Sequence, residues 1–164
     1  IGQAIGIEKL KKFLNNLNLL NAIKFDIEEI GKPITFNWGK CKLATTSYGH
    51  GITTTILQLA NAYAILGNGG YKINPTLIKK ESYSKKERIL KKDISKNLIQ
   101  ILRKIVTTKE GTASLANIEG YEVGGKTGTA QESIMGGYSN NKVNTFASIV
   151  PVSNTKFVFV VMLD

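Results

Sequence analysis

After Gly120 the sequence loses helical periodicity, and that loss constrains the fold more than any other feature. Residues 121–129 read as extended chain, and β-rich runs follow at 144–150 and 156–163. Pro151-Val152-Ser153-Asn154-Thr155 separates the last two runs, a spacing that closes an antiparallel hairpin. The chain therefore ends in three successive strands, and antiparallel neighbours need no crossover helix between them. Residues 131–142, with Gly136-Gly137 and Asn140-Asn141, read as a polar loop between the first strand and the hairpin.

Helices precede this sheet. Ile7, Leu10, Phe13, Leu14 and Leu17 recur at helical spacing, with Lys9, Lys11 and Lys12 opposite them. A loop through Gly31-Lys32-Pro33 leads to Trp38, Cys41, Leu43 and Ala44, read as a short buried piece of about one helical turn. A turn-rich linker, Thr46-Ser47-Tyr48-Gly49-His50-Gly51, delivers the chain to a helix over 54–66. One of Thr53, Thr54 or Thr55 can cap it, and Gly67-Asn68-Gly69-Gly70 supplies a left-handed stop. Ile56, Leu59, Ala60, Tyr63 and Ala64 form the stripe expected to be buried, widened by Ile65 and Leu66. His50, between two glycines, reads as a turn residue. Residues 71–78 read as an extended edge segment and 79–92 as a charged surface stretch. Asp93 or Ser95 then caps a helix that carries Ile94, Leu98, Ile101, Leu102, Ile105 and Val106 and ends near Gly111. Helices first and strands afterwards make an α/β fold of the α+β kind, with an antiparallel sheet, in one domain.

The net charge of +10 invites a nucleic-acid reading, but only Arg88 and Arg103 are arginine and the lysines are dispersed. Phosphate-reading surfaces cluster arginine with aromatics, so no nucleic acid is expected. A lone Cys41 and a lone His50 leave no internal disulfide and no cysteine- or histidine-based metal cluster. The longest apolar run, at 157–163, is far shorter than the roughly 20 residues of a spanning helix.

Chemistry concentrates in Gly124-Gly125-Lys126-Thr127-Gly128-Thr129-Ala130, which joins a cation, two hydroxyls and three glycines in seven residues. Glycine permits close approach to the backbone, and threonine hydroxyls add short donors beside its N–H groups. Such an edge suits an anion, or a carbonyl that becomes one. Gly120-Tyr121-Glu122-Val123-Gly124-Gly125-Lys126-Thr127 also satisfies the P-loop spacing, and the run ending at Asp164 resembles a magnesium-holding strand. A P-loop, however, needs a buried strand before its first glycine and a helix starting at its lysine. Residues 113–119 are no such strand, and no helical period follows Lys126 before Asn144. Nucleotide binding through Gly120 to Thr127 is therefore the rejected alternative.

Lys126-Thr127-Gly128 matches instead the lysine-threonine-glycine motif of serine acyl-transferring penicillin-recognising enzymes. Ser47-Tyr48-Gly49-His50-Gly51, Leu57-Gln58-Leu59-Ala60-Asn61-Ala62-Tyr63-Ala64, Asn68-Gly69-Gly70 and Gly111-Thr112-Ala113 accompany it in order, as does the terminal hairpin. The set resembles class B penicillin-binding proteins, and its Ser-Tyr-Gly-x-Gly form resembles the septal, cell-division peptidoglycan D,D-transpeptidase. The resemblance implies a penicillin-binding-protein/β-lactamase-like transpeptidase fold. It also implies cross-linking of stem peptides through a serine acyl-enzyme, without metal or cofactor. Implied partners are the D-Ala-D-Ala stem peptide, β-lactams and membrane-anchored division proteins. The implied location is the periplasmic face of the cytoplasmic membrane, reached through an anchor outside this chain.

The resemblance assigns roles residue by residue. Lys126 would hold positive potential and reach toward the serine of a second motif. The Thr129 N–H would be one arm of the oxyanion hole. Hydroxyls of Thr127 and Thr129 would bind the substrate carboxylate, and Gly128 would let the substrate lie along the strand. Neither the nucleophile motif nor the second motif is expected in this chain. Ser82-Tyr83-Ser84-Lys85, Ser95-Lys96-Asn97 and Ser139-Asn140-Asn141 match them formally, but they read as chance: a polar stretch, a helix cap and a loop. Residues 1–164 are thus expected to be a single partial transpeptidase domain, lacking the upstream motifs and a C-terminal helix. A non-catalytic relative serving only assembly fits the same residues.

Overall fold

The computed structural model describes residues 1–28, 30–34, 38–79, 87–134 and 137–164. Ser82-Tyr83-Ser84-Lys85 and Gly136 lie outside the described residues. The chain runs α1 (Gly2–Ile5), α2 (Ile7–Asn16), α3 (Lys40–Thr46), α4 (Ile56–Gly67) and α5 (Lys92–Thr107), then a single 3-10 turn (Ser114–Ala116). Three strands close it: β1 (Gly124–Ile134), β2 (Gly137–Val150) and β3 (Phe157–Leu163), in the sheet order β1-β2-β3 with both pairings antiparallel.

The described part of the expected loop, 131–134 and 137–142, is instead strand. β1 and β2 stay paired from Gly124↔Ile149 to Ile134↔Gly137, with a register shift between Gln131 and Ser133. Asparagine and glycine there argued against a strand, but pairing along a long hairpin overrides weak local propensity. Ser139 accordingly sits in β2, where its hydroxyl accepts from Asn141 N at 3.0 Å. Residues 71–78 form no edge strand; Tyr71 makes one isolated bridge to Arg88.

α4 begins on a capping box. Gln58 N donates to Thr55 Oγ1 at 3.2 Å, and Thr55 N donates to Gln58 Oε1 at 2.9 Å. Gln58 is fully buried because its amide nitrogen also reaches the carbonyls of Asn18 and Asn21, at 2.9 and 2.8 Å. That side chain ties the start of α4 to the chain leaving α2. The buried face of α4 is Gln58, Asn61, Ala62 and Ile65. The stripe expected from periodicity is only partly covered, with Ile56 45% exposed. A helix apolar nearly all round carries no phase that picks its inner face.

α5 has no side-chain cap, contrary to expectation; Lys91 stands at its N-cap position. Ser95 is buried instead, and its hydroxyl donates to Leu66 O at 2.5 Å, joining α5 to the end of α4. The capping explanation of Ser95 is thus replaced by burial against the end of α4. Leu43 is buried on α3 as expected, whereas Cys41 is exposed. Among the described residues, no helix is long and apolar enough to cross a membrane.

Glu122 braces the turn after β2 against the entrance to β1. Its carbonyl accepts from Val152 N and its carboxylate from Ser153 N, both at 2.9 Å. Hydrogen bonds from Ser153, aided by the Arg103 charge, hold the Glu122 carboxyl below its ordinary range. A carboxyl whose folded value is depressed stabilises the fold above its unfolded value, and that contribution fades as pH falls through the folded value. The Ser153 amide resonance should therefore titrate with a midpoint below that of a free glutamate, and Glu122→Gln should flatten the titration. An unchanged Ser153 titration in Glu122→Gln would refute the brace.

Candidate active-site groove

Lys126, Thr127, Gly128 and Thr129 all lie on β1, paired antiparallel to β2 at Ala147, Phe146, Thr145 and Asn144 respectively. No helix begins at Lys126, so the nucleotide-cradle alternative lacks the element that would hold its phosphates. Among the described residues, β1 has a strand on one side alone, which leaves its other edge open.

The two glycines before Lys126 serve packing. A Cβ on Gly124 would stand 2.8 Å from Val152 Cγ2 and 3.2 Å from the backbone nitrogen of Arg103 on α5. A Cβ on Gly125 would meet the Phe146 ring at 2.7 Å and the Ala147 carbonyl at 2.8 Å. Arg103 fastens the same junction, with Nη1 donating to Val123 O at 2.8 Å. Val106, Ala113 and Val123 fill the core beneath it, packed against Phe146 and Val150. Gly128 differs: among the described residues, the atoms nearest its Cβ position are those of Thr145, at 4.0 Å. Its missing side chain leaves the outer surface of β1 open.

Lys126 is exposed, and its ammonium folds along β1. Nζ donates to Thr127 O at 2.7 Å, Thr112 Oγ1 at 3.3 Å and Thr127 Oγ1 at 3.4 Å. Backbone groups of alternate strand residues point to the same side. The N–H of Thr129 therefore shares the side of the Thr127 carbonyl that Lys126 reaches. Beside them runs an open groove of about 340 Å³, lined by Thr112, Thr127, Gly128, Thr129, Asn144 and Phe146 among others. All of the expected β1 residues except Lys126 line it directly, and Lys126 reaches it through two of the threonines.

Thr112 and Asn144 were not expected there. Thr112 belongs to the Gly111-Thr112-Ala113 triplet, which carried a resemblance but no role. Asn144 enters through the ladder register opposite Thr129, to which it is hydrogen-bonded at 3.0 Å. His50 lies in the turn after α3, its ring edge-on to Tyr48 at 5.6 Å between centroids. It does not line the groove.

Comparison with known proteins converges on one family. A model of the penicillin binding protein transpeptidase domain matches residues 1–164. The stage V sporulation protein D of Bacillus subtilis is 31% identical over 180 residues, covering 100% of this chain and 28% of that protein. The peptidoglycan D,D-transpeptidase FtsI of Buchnera aphidicola is 35% identical over 173 residues, covering 98% of this chain and 30% of that protein. The chain thus spans less than a third of the length of these relatives. Among solved structures, the transpeptidase domain of Burkholderia pseudomallei penicillin-binding protein 3 superposes with a TM-score of 0.91 at 25% identity, covering 99% of this chain and 51% of that one. Penicillin-binding protein 3 of Mycobacterium tuberculosis, in complex with aztreonam, gives 0.89 at 25% identity, covering 99% and 41%.

The glycine geometry separates two kinds of substitution. Gly125→Ala should lower stability by about 1–3 kcal/mol, the usual cost of forcing atoms into a filled site. Gly128→Ala, facing open space, should stay within about 0.5 kcal/mol of the parent in the same denaturant titration. Equal losses at both positions would contradict the packing described.

Proposed function

Since the chain belongs to the penicillin-binding-protein transpeptidase family, we propose that it is part of the catalytic domain of a septal peptidoglycan D,D-transpeptidase. The parent protein cross-links stem peptides through a serine acyl-enzyme and is acylated by β-lactams. One observation carries this reading: the Lys-Thr-Gly-Thr stretch lies on an open strand edge with its ammonium beside a groove. Division is favoured over sporulation by the Ser-Tyr-Gly-x-Gly form.

In this reading residues 1–164 are one wall of a larger domain, which accounts for a coverage of 51% of the Burkholderia transpeptidase domain. The nucleophile serine and the second motif come from elsewhere in that domain. Lys126 supplies positive potential and donates toward the serine of the second motif, aiding proton movement to and from the nucleophile. The N–H of Thr129 stabilises the oxyanion of the tetrahedral intermediate. The open β1 edge takes the acyl-donor peptide as an added strand, with Gly128 leaving room for it. The parent acts at the periplasmic face of the cytoplasmic membrane, beside other membrane-anchored division proteins. A relative crystallised with aztreonam supports the β-lactam part of this reading.

Labelling with a fluorescent penicillin tests it. The full-length protein should form a stable adduct, and Lys126→Ala should slow acylation by about a hundredfold or more, the scale of a lost acid–base partner. Residues 1–164 alone should form none. A stoichiometric adduct on the isolated chain, or undiminished acylation in Lys126→Ala, would overturn the assignment.

A further inference from the structure

Four threonines line the groove, Thr112, Thr127, Thr129 and Thr145, and hydrogen-bond polarity divides the first three. An ammonium is donor only. The hydroxyls that Lys126 touches, on Thr112 and Thr127, therefore accept there and keep their own protons for another acceptor. A neighbouring cation also polarises each of them as an outward donor. Thr129 is in the opposite state. Its hydroxyl donates to Asn144 Oδ1 at 3.0 Å, and a hydroxyl carries a single proton. Asn144 is the residue directly opposite Thr129 in the β1–β2 ladder, so the register itself maintains this bond. All four residues line the groove.

We infer that the carboxylate-holding pair of this groove is Thr112 with Thr127, in place of the Thr127–Thr129 pair that family resemblance implies. Asn144 withholds the Thr129 hydroxyl, so Thr129 serves through its backbone N–H alone. The Thr112 and Thr127 oxygens each lie within 3.4 Å of one nitrogen, near enough for a single carboxylate to bridge their two donors. The ligand class is an anion with a planar carboxylate beside an acyl centre, either a β-lactam or a peptide C-terminus. The inference rests on the transpeptidase reading and adds to it a residue from outside the lysine motif.

The test uses the full-length protein and benzylpenicillin, with pre-acylation affinity separated from the acylation rate of the bound complex. Thr112→Val should weaken affinity about tenfold, the scale of a lost hydrogen bond to a charged group, with little change in that rate. Thr112→Ser should restore it. Thr129→Val should cost less than about threefold. Asn144→Ala should release the Thr129 proton and tighten binding about threefold, the scale of a neutral hydrogen bond. That gain should vanish in the Asn144→Ala/Thr129→Val double variant. Benzylpenicillin methyl ester, with no carboxylate, should not register Thr112→Val. A peptide ending in D-Ala-D-Ala, run as competitor, shows whether the same clamp takes the peptide terminus or only the β-lactam. Unchanged affinity in Thr112→Val, a larger loss in Thr129→Val than in Thr112→Val, or weaker binding in Asn144→Ala would overturn the inference. A wild-type protein that forms no penicilloyl adduct would sink the transpeptidase reading itself, and this inference with it.

Discussion

The seating of α5 on the backbone of Gly124 holds the rest of the site in place. Val152 Cγ2 at 2.8 Å and the Arg103 backbone nitrogen at 3.2 Å crowd the space a side chain at Gly124 would need. The Arg103 guanidinium anchors Val123 on the same junction. Glu122 ties the entrance of β1 to the turn after β2. Lys126 follows two residues later, so its ammonium inherits its position from that contact rather than from its own packing, since it is exposed. An exposed cation can serve chemistry needing placement within about 0.5 Å only if its backbone is rigid. Here the rigidity comes from a helix pressed on a glycine and from the core of Val106, Ala113 and Val123 beneath.

How legible this was in the sequence depended on whether a residue's neighbours were local. Helical periodicity located α2, α4 and α5, because residues three or four apart share one face of one element. It failed to pick the inner face of α4, where apolar residues surround the helix and the deciding contact, Gln58 with the carbonyls of Asn18 and Asn21, is long-range. The lysine stretch was readable as a strand edge because its glycines and the following hairpin left no helical alternative. The groove was only half readable. Thr127, Gly128 and Thr129 are contiguous, but Asn144 reaches them through a ladder that includes 131–134 and 137–142, where local composition argued for a loop. Thr112 approaches from the end of the α5 segment through a side-chain bond to Lys126 that no spacing rule encodes. Ser95 shows the converse. A serine near a helix start reads as a cap, yet its hydroxyl serves the neighbouring helix.

The apolar surface is unevenly distributed, and the asymmetry bears on what the chain can be. Phe157, Phe159 and Leu163 on β3 are 58%, 52% and 66% exposed, and α4, which packs against β3, leaves Ile56 45% exposed. The residues around Gly124, by contrast, are buried. The chain thus fills its core beside Gly124 and leaves most of β3 exposed, with Val161 and Leu163 of β3 lining the groove beside the lysine motif.

The sequence from Gly120 to Thr127 satisfies two chemistries at once, and strand geometry explains why only one is available. At a helix N-terminus successive N–H groups converge on one anion, so a glycine-rich turn and a lysine suffice to bind phosphate. Along a strand, successive N–H groups point to opposite sides, and only every second one can serve a ligand on the open edge. On β1 that leaves one N–H per two residues, too few to enclose a polyphosphate but suited to a single developing oxyanion. The remaining donors must then be side chains. Among the groove's threonine hydroxyls, those of Thr112 and Thr127 are oriented by the lysine, and that of Thr129 is held by the asparagine across the ladder.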